Sequence, residues 1–345
     1  MEKKVAIILF NLGGPNKRTN VKNFLFNLFY DKAIINLPNP FRWLIAKFIS
    51  SSRAKNSQAN YNLIGGYSPI LENTNKQAEA LEKQLLEIGY NAKVFTCMRY
   101  SYPRASEIIY GVKDFAPTEI ILLPLYPQFS STTSSSSIYE FKKFAAEELS
   151  GIPIKTVCCF FKEDKFIQSQ VNLVSKAIEE VENQRHIILF SAHGLPKKII
   201  DAGDPYQWQV EQTVDLIIKK LPMKPMKHII SYQSRVGPVE WIKPYTEDEI
   251  IKAAKENLAI IIVPIAFVSE HLETLVELDI EYEEIAKENG AKSYIRVSTP
   301  SLDTNFITSL AELTQRFIEK NTGNALSCEL NKLCSKAYTK CISEG

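Results

Sequence analysis

The sequence predicts an α/β fold with two similar, doubly wound lobes of the Rossmann-like kind. Each lobe is expected to hold a parallel β-sheet flanked by helices, with the active-site cleft between the lobes. Three observations predict this fold: the chain length, a duplicated set of strand-and-loop patterns, and an alternation of strand and helix patterns. With 345 residues, of which 45% are hydrophobic and 23% charged, the chain is long enough for two cores of ordinary domain size.

Each half of the chain opens with a β-branched apolar run that leads into a loop rich in glycine and proline. In the first half, the run at residues 5–10 precedes the loop at residues 11–15, Asn-Leu-Gly-Gly-Pro. In the second half, residues 186–190 precede residues 191–196, Ser-Ala-His-Gly-Leu-Pro. The same pairing in both halves indicates an internal duplication.

Two more elements repeat in the same order later in each half. A strand pattern leads to an arginine at Arg99 and again at Arg235. A continuous apolar strand that ends in proline follows, at residues 119–124 and 259–264. Runs that are apolar on both faces are typical of strands covered by helices on each side of a parallel sheet.

Helical patterns of suitable length separate these strands, for example at residues 74–89 and 206–221. Strand and helix therefore alternate in both halves, which predicts parallel sheets. We place the first lobe at residues 1–165, the second at 166–322 and a cysteine-containing tail at 323–345. In such folds ligands bind beyond the carboxyl ends of the strands, so a site is expected in the loops that follow them.

Charge and hydropathy exclude several classes of protein. The 41 basic and 39 acidic residues nearly cancel, so the overall field gives no reason to expect a nucleic-acid partner held through its phosphates. The apolar run at residues 5–10 is too short for a signal peptide, and the most apolar stretch, residues 258–268, contains Pro264 and is too short to span a bilayer. The six cysteines match no disulfide framework of a small secreted domain. We expect a cytoplasmic protein with reduced thiols.

His193 is the first candidate for chemistry. It stands directly after the first strand pattern of the second half and is followed by Gly194 and Pro196, which predicts a tight loop at the carboxyl end of a sheet. α/β folds bind ligands at that edge. A histidine hydrogen-bonded there for purely structural reasons explains the position equally well, so the position alone does not decide.

An acidic stretch at residues 268–284 supplies candidate partners, since it holds seven acidic residues and no lysine or arginine. Glu270, Glu273, Glu277 and Glu281 are three, four and four residues apart, so they form one stripe on a helix. A solvated acidic face is the common explanation of such a stripe. Here no basic residue within the helix balances the charge, which favours a line that cations occupy.

The combination of an imidazole with carboxylates narrows the chemistry. It suits a divalent metal of intermediate softness such as Fe²⁺, and both groups can accept a proton near neutral pH. Zinc hydrolase chemistry fits less well, because His271 and Glu273 face different ways on an ordinary α-helix and no His-Glu-x-x-His pattern occurs. A serine hydrolase is disfavoured because no Gly-x-Ser-x-Gly pattern occurs at a strand end.

Two further segments have unusual composition. Residues 21–48 are dense in large apolar side chains; most are expected in the core, while the others are expected to line an apolar mouth or to touch a membrane surface. Residues 128–137, Gln-Phe-Ser-Ser-Thr-Thr-Ser-Ser-Ser-Ser, have the composition of a linker but lie between a core strand and a helical pattern. A hydroxyl-rich helix entry that binds an anion and a disordered linker explain this segment equally well.

Three long segments resemble signatures of the ferrochelatase family, whose members catalyse the terminal step of haem synthesis. They are residues 191–196, 233–244 and 263–282. The short pattern at residues 11–15 adds to them, and the similarity extends over nearly the whole chain. The resemblance implies a lyase that inserts Fe²⁺ into protoporphyrin IX to give protohaem and releases two protons.

The resemblance also implies roles for the candidate residues. His193 and Glu273 would be the catalytic pair at the iron site, with His193 either a metal ligand or the acceptor of pyrrole protons. Glu270, Glu277 and Glu281 would form a path for metal entry or proton exit. The family's helix at this stripe is widened locally, which would let His271 and Glu273 lie differently from the ideal-helix expectation.

A porphyrin-binding set follows from the same resemblance. Its members would be Leu12, Leu25, Phe29, Ile34, Arg53, Tyr61, Ser68, Arg99, Tyr126 and Trp241. Arg53 would lie near a propionate, and Leu25, Phe29 and Ile34 would form an apolar lip. The substrates would be protoporphyrin IX and ferrous iron.

The cysteines near the end of the chain raise the question of a cofactor. Animal members of the family carry an iron–sulfur cluster on a cysteine-rich tail, and this chain has Cys328, Cys334 and Cys341. A cluster needs four ligands, the close cysteine pair of the animal tail is missing, and no fourth cysteine matches. We therefore expect no cofactor beyond the substrate Fe²⁺, and a reduced, partly disordered tail.

Several alternatives stay open at this point. With no targeting leader or added anchor in the sequence, we expect a cytoplasmic enzyme of the bacterial type, either free or in peripheral contact with the inner face of a membrane. A chelatase for another tetrapyrrole or metal, such as coproporphyrin or cobalt, would share these features, and so would a non-catalytic protein that binds haem or metal. The sequence does not indicate the oligomeric state.

Overall fold

The computed structural model describes residues 3–181, 184–320 and 325–343, which form two compact units. The first unit comprises the chain up to Cys159, the return segment Leu310–Leu333 and the C-terminal end from Ile342. The second unit comprises Phe160–Ser309 and Cys334–Cys341. Each unit is built on a parallel β-sheet with helices around it, so the predicted α/β class is confirmed.

Five parallel strands form the sheet of the first unit. They are β1 (Lys4–Asn11), β2 (Asn91–Met98), β3 (Glu119–Pro124), β4 (Ile154–Cys159) and β9 (Ala325–Ser327). Their order in the sheet is β2-β1-β3-β4-β9. The helices of this unit are α1 (Val21–Tyr30), α2 (Phe41–Asn62), α3 (Ile70–Glu87), α4 (Ala105–Phe115), α5 (Ser134–Glu148) and the part of α11 (Thr304–Glu319) from Leu310 onward.

The core of the first unit follows from the alternation of side chains along β1. Ala6, Ile8 and Phe10 point to one face, as residues two apart on a strand must, and they share one buried cluster with α4 and α5. Phe10 and Phe141 meet there edge to face, with ring centroids 6.0 Å apart. Burying one such phenylalanine contributes about 2 kcal/mol, so this packing helps to stabilise the carboxyl end of β1.

Four parallel strands form the sheet of the second unit. They are β5 (His186–His193), β6 (His228–Gln233), β7 (Ala259–Pro264) and β8 (Ser293–Arg296). Their order is β6-β5-β7-β8. The helices are α6 (Asp164–Glu180), α7 (Lys197–Asp201), α8 (Tyr206–Lys220), α9 (Thr246–Lys255), a π-helix (Glu273–Glu281), α10 (Tyr282–Glu288) and the start of α11.

One buried cluster fixes the π-helix on this second sheet. Leu189, Ile260 and Ile262 from the central strands pack in it together with Leu278 of the π-helix and Tyr282 of α10. The central strands are apolar on both faces, as predicted, because helices cover both. The acidic stretch is therefore anchored by its apolar residues, which leaves its carboxylates to point elsewhere.

The lobe boundaries differ from those predicted from the sequence. The first unit ends at Cys159 and not at residue 165, and it takes back Leu310–Leu333, which the prediction divided between the second lobe and the tail. The reason is that β9 adds a fifth strand beside β4, and that buried Lys155 of β4 donates a 2.7 Å hydrogen bond to the carbonyl of Phe317. A three-residue strand carries too weak a pattern to be recognised. Residues 321–324, where the predicted second lobe and tail meet, lie outside the described residues, and the predicted cleft stays a prediction.

None of the helices in the described part of the chain combines the length and apolarity needed to cross a membrane.

Candidate active site

His193 lies at the carboxyl end of the second sheet, at the edge where α/β folds bind ligands. It is the last residue of β5 and pairs in register with Gln233, the last residue of β6. The prediction that His193 lies in a loop was therefore wrong. The strand β5 extends three residues beyond the apolar run and ends at His193. The Tyr206 hydroxyl donates a 3.0 Å hydrogen bond to the His193 carbonyl, which secures this strand end.

The imidazole of His193 meets the carboxylate of Glu273. The distance from Nδ1 to Glu273 Oε2 is 2.8 Å, and the two side chains are 38% and 23% exposed. A carboxylate beside Nδ1 favours the tautomer with its hydrogen on Nδ1, which leaves Nε2 with a lone pair. The pair thus offers a basic nitrogen whose orientation is set by a neighbouring negative charge.

This contact changes the acidity of both groups. Burial lowers the pKa of His193, but the charge and hydrogen bond of Glu273 outweigh burial and leave the pKa above its ordinary value of 6.5. Burial raises the pKa of Glu273, and the opposing interaction with His193 brings that pKa well below its ordinary value. The pair therefore favours an imidazolium facing a carboxylate once a proton arrives.

Glu273 opens the π-helix, so the acidic stretch is not the ordinary α-helix on which the spacing argument was based. The local widening implied by the family resemblance is present. His271 lies just before it, with its ring 4.7 Å from that of Phe267 and Nδ1 3.0 Å from the Ser269 carbonyl. The Nε2 of His271 is 4.0 Å from Glu273 Oε1. The expectation that His271 and Glu273 face different ways on an α-helix is thus wrong, because His271 lies outside the helix that Glu273 begins.

Glu277, one step further along the π-helix, is held by several donors. Ser234 contributes its backbone N–H at 3.0 Å and its hydroxyl at 2.5 Å. The Gln233 amide donates at 3.1 Å and the Tyr282 hydroxyl at 3.0 Å. Despite these donors, burial and the nearby charge of Glu273 raise the pKa of Glu277 above its ordinary value.

Ser234 is a site residue that the sequence analysis missed. Its backbone adopts the left-handed conformation with φ of +65°, which is uncommon for a residue with a side chain. This conformation aims both its N–H and its hydroxyl at the carboxylates, since the hydroxyl also lies 3.4 Å from Glu273 Oε2. The only available signal was its position, directly after a strand and inside the segment 233–244 that carries the family resemblance.

Glu281 and Glu270 occupy different environments from the central pair. Glu281 is the last residue of the π-helix and is largely exposed. The protein around it still removes part of its hydration, which raises the pKa of its carboxyl group. Glu270 is ion-paired with Arg296, with 2.7 Å between Oε1 and Nη1. The stripe is therefore balanced at one end by a basic residue from β8, which the analysis of the helix by itself could not reveal.

Trp241, predicted to contact a porphyrin, packs beside the loop that follows His193. It forms an isolated antiparallel bridge with Pro196, and its indole N–H donates to the Val236 carbonyl at 3.1 Å. Gly194 is required at this close approach, because a Cβ there would lie 2.9 Å from the Gln233 carbonyl oxygen and 3.3 Å from the Trp241 ring. The second unit thus places Trp241 against Gly194, the residue that follows His193.

The other predicted porphyrin residues all belong to the first unit. Leu12, Arg99 and Tyr126 each follow or adjoin the carboxyl end of a strand, β1, β2 and β3 respectively. Backbone hydrogen bonds join two of these ends, since the N–H of Tyr100 donates to the Leu12 carbonyl at 3.0 Å. This edge of the first sheet corresponds to the edge that holds His193 in the second.

The remaining members of that set lie on α1 and α2 and in the segments that follow these two helices. Leu25 and Phe29 are on α1, and Ile34 follows in the connection to α2, where it is exposed. The Arg53 guanidinium on α2 lies 5.9 Å from the Phe29 ring centroid. Tyr61 and Ser68, by contrast, are buried, on α2 and just before α3.

Arg99 is engaged by protein groups on three sides. Its Nη2 lies 2.8 Å from Asp31, its Nε donates to Ser136 at 2.8 Å, and its Nη1 lies 3.0 Å from Glu140. Asp31 also accepts hydrogen bonds from the hydroxyls of Tyr100 and Ser136. The serine-rich segment is thus ordered, and its helix start is tied to this ion-pair network.

We expect the change Asp31→Asn to destabilise the first unit by about 3 kcal/mol, because it leaves the Arg99 cation with one charged partner fewer in a nearly dry site. The two side chains are 7% and 12% exposed. Chemical denaturation followed by intrinsic fluorescence measures the change. The same substitution at exposed Asp114 of α4 is the control, and equal stabilities of the two variants would contradict the prediction.

Within the residues described, no group of three or more His, Cys, Asp and Glu side chains is arranged to hold a metal ion. Cys328 is buried in the first unit, whereas Cys334 and Cys341 belong to the second. The side-chain amide of Gln209 on α8 lies 3.2 Å from the Cys334 sulfur, which ties this part of the tail to the second unit.

Comparison with known proteins identifies the family independently of this geometry. The family model "Ferrochelatase" matches residues 4–317. A ferrochelatase of Rickettsia bellii (strain OSU 85-389) is 53% identical over 99% of this chain and 95% of its own. A ferrochelatase of Rickettsia felis is 52% identical over 99% and 98%, and one of Pelagibacter ubique is 50% identical over 92% of each chain.

A solved structure supports the fold. SirB from Bacillus subtilis with Fe³⁺ aligns with a TM-score of 0.53 over 91% of this chain and 95% of its own, at 13% sequence identity. An alignment at that identity speaks for the fold alone. The family model and the relatives at about half identity over nearly the full length decide the classification: this chain belongs to the ferrochelatase family.

Proposed function

We propose that this chain is a ferrochelatase that inserts ferrous iron into protoporphyrin IX to give protohaem, the last step of haem synthesis. Family membership over residues 4–317 supports the activity. The observation that carries the choice of residues is the 2.8 Å contact between His193 Nδ1 and Glu273 Oε2 at the carboxyl edge of the second sheet. A histidine there, already paired with a carboxylate, has the chemistry that the reaction needs.

The reaction replaces two pyrrole N–H protons by one Fe²⁺, so each turnover must also dispose of two protons. His193 Nε2 is the nitrogen that faces substrate in this proposal, because Nδ1 is taken by Glu273. A proton that arrives at Nε2 creates an imidazolium, which Glu273 stabilises. Iron and the pyrrole proton are thus exchanged beside one charged pair.

Glu277 and Glu281 continue the proposed path for protons or metal. A carboxyl whose pKa is raised accepts a proton more readily than an ordinary carboxylate, and the pKa values of both groups are raised. Glu270 was predicted to belong to the same path. The ion pair between Glu270 and Arg296 favours a structural role for Glu270 instead.

The porphyrin is proposed to contact the ten residues assigned from the resemblance, with Arg53 near a propionate. The first-unit members at the sheet edge, on α1 and α2 and after these helices provide apolar and cationic groups. Trp241 provides an aromatic face next to Gly194, the residue after His193. Porphyrins are large, flat and apolar with acidic side chains, so this mixture suits them. We propose no cofactor beyond substrate Fe²⁺, and iron and sulfide analysis of anaerobically purified protein tests this.

The activity is tested by mixing the purified protein, protoporphyrin IX and Fe²⁺ under anaerobic conditions and following the haem spectrum. Repeated turnover is expected. Parallel assays with coproporphyrin and with Co²⁺ separate this function from a chelatase of other specificity. Saturable haem binding without conversion of free porphyrin would contradict the proposal and identify a haem carrier.

A peripheral membrane contact is also proposed, with the enzyme in the cytoplasm and attached to the inner face of the membrane. Large apolar side chains on α2 and the segment before it are exposed: Ile34 39%, Leu37 40%, Phe41 61%, Leu44 53% and Phe48 74%. We call these five residues the α2 patch. Arg42 and Lys47 lie among them in the sequence, which suits an anionic lipid surface.

We expect the double change Phe41→Ser and Phe48→Ser to weaken binding to phosphatidylglycerol vesicles by about tenfold or more per residue, because each ring loses its burial in lipid. Vesicle co-sedimentation measures the affinity. Tyr139→Ser on α5, at a side chain that is 73% exposed, is the matched control. Unchanged affinity of the double variant would contradict membrane docking through the α2 patch.

A further inference from the structure

The π-helix at Glu273–Glu281 needs an explanation beyond its own sequence. A π-helix closes hydrogen bonds from residue i to i+5 and is rare, because the α-helical register is normally preferred. The proposed site depends on this helix. Glu273 of the catalytic pair is its first residue, and Glu277 follows about one turn later. Something outside the helix must therefore stabilise the wide register.

We propose that Tyr294 and Arg296 of β8 are positioning residues that hold the π-helix in the register that presents Glu273 and Glu277. The proposal rests on the ferrochelatase function argued above. Neither residue touches the catalytic pair. Both act through Leu278 and Asp279, which directly follow Glu277.

The placement of β8 allows this role. β8 runs parallel to β7 at the edge of the second sheet. Tyr294 and Arg296 are two residues apart, so their side chains leave the same face of the strand. That face is turned toward the π-helix, because both side chains bond to it.

Tyr294 binds the backbone of the π-helix. Its hydroxyl donates a 2.6 Å hydrogen bond to the Leu278 carbonyl oxygen. Leu278 is buried in the cluster that anchors the helix on the sheet. A shift to the α-helical register would move this carbonyl away from a donor fixed on the strand.

Arg296 binds the π-helix through Asp279. Its Nε lies 2.6 Å from Oδ1 and its Nη2 lies 2.7 Å from Oδ2, which is a two-pronged contact with a defined direction. Its remaining Nη1 binds Glu270 at 2.7 Å, and Glu270 in turn accepts the N–H of Thr299 at 2.9 Å. One guanidinium therefore joins a residue before the π-helix to a residue inside it.

Losing these contacts has a specific consequence for the site. Glu277 is aligned with Ser234, Gln233 and Tyr282 only in the observed register. If the helix fluctuates toward the α-helical register, Glu277 turns relative to those donors, while residues of the first unit are unaffected. We therefore expect the efficiency of iron insertion to fall and the affinity for porphyrin to stay unchanged.

The test uses the full-length chain with the changes Tyr294→Phe and Arg296→Lys, which keep the ring and the charge respectively. Hydrogen exchange followed by mass spectrometry is expected to show amides of residues 273–281 exchanging about tenfold faster in each variant, as befits the loss of one strong hydrogen bond. In the anaerobic assay, kcat/KM for Fe²⁺ is expected to fall by about tenfold, with the KM for protoporphyrin unchanged. Lys287→Met, which removes the exposed ion pair with Glu283 on α10, is the control and should change neither.

Three results would overturn the proposal. The first is wild-type exchange in residues 273–281 of a folded Tyr294→Phe variant. The second is an equal change in both substrate KM values, and the third is a smaller fraction of active protein with unchanged kinetic constants; both of these indicate general destabilisation. The exchange experiment needs no activity, so it decides the positioning claim even if the protein makes no haem.

Discussion

The change His193→Ala is expected to lower the rate of haem formation by about 10²- to 10⁴-fold, the usual contribution of a positioned acid or base. The residue loses both the nitrogen that receives the pyrrole proton and the group that Glu273 orients. The fold should persist, because His193 ends a strand whose buried residues precede it and its side chain is 38% exposed. Anaerobic haem formation gives the rate, and circular dichroism reports the fold.

The matched control is His228→Ala, which makes the same change at an exposed histidine that begins β6 in the same sheet. It should retain wild-type turnover. Retained turnover in a folded His193→Ala protein would remove His193 from the mechanism and with it the assignment of the site.

The change Glu273→Gln is expected to lower kcat/KM by about 10- to 100-fold, the typical cost of losing the carboxylate that orients an essential histidine. Glutamine keeps the shape and removes the charge. Because Glu273 raises the pKa of His193, its loss should lower that pKa. The acidic limb of the rate profile, where protonation of His193 blocks its role as a base, should then move to lower pH.

Glu284→Gln, at an exposed carboxylate of α10, removes one negative charge from the following helix and serves as the control. It should alter neither the rate nor the profile. A Glu273→Gln variant whose acidic limb stays at the wild-type pH would contradict the assignment of His193 as the titrating base, since Glu277 would be left as the nearest candidate.

Much of the fold could be predicted because the pattern of a buried parallel strand is strong. The apolar runs at residues 119–124 and 259–264 correspond residue for residue to β3 and β7. The return of the chain at Leu310–Leu333 could not be predicted, because it depends on the short β9 and on a buried lysine that binds a distant carbonyl. Such long-range contacts leave no local periodicity.

The site was predictable to a similar extent. His193 and Glu273 were found through strand-end position, charge pattern and family resemblance, and the structure places their side chains in contact. Ser234 and Arg296 were not found, since a left-handed serine and an arginine 26 residues beyond Glu270 look ordinary in sequence. Their importance comes from the positions that the folded backbone gives them, and those positions depend on contacts distant in sequence.

The central claim is that His193 and Glu273 act as one unit, and a double-mutant cycle on anaerobic haem formation tests it most directly. Rates are compared for the wild type, His193→Ala, Glu273→Gln and the double variant. If the two groups form one unit, the double variant should be no slower than His193→Ala within about threefold, because Glu273 has nothing left to orient. A double variant slowed by the product of the two single effects would show that the groups act independently and would contradict the account.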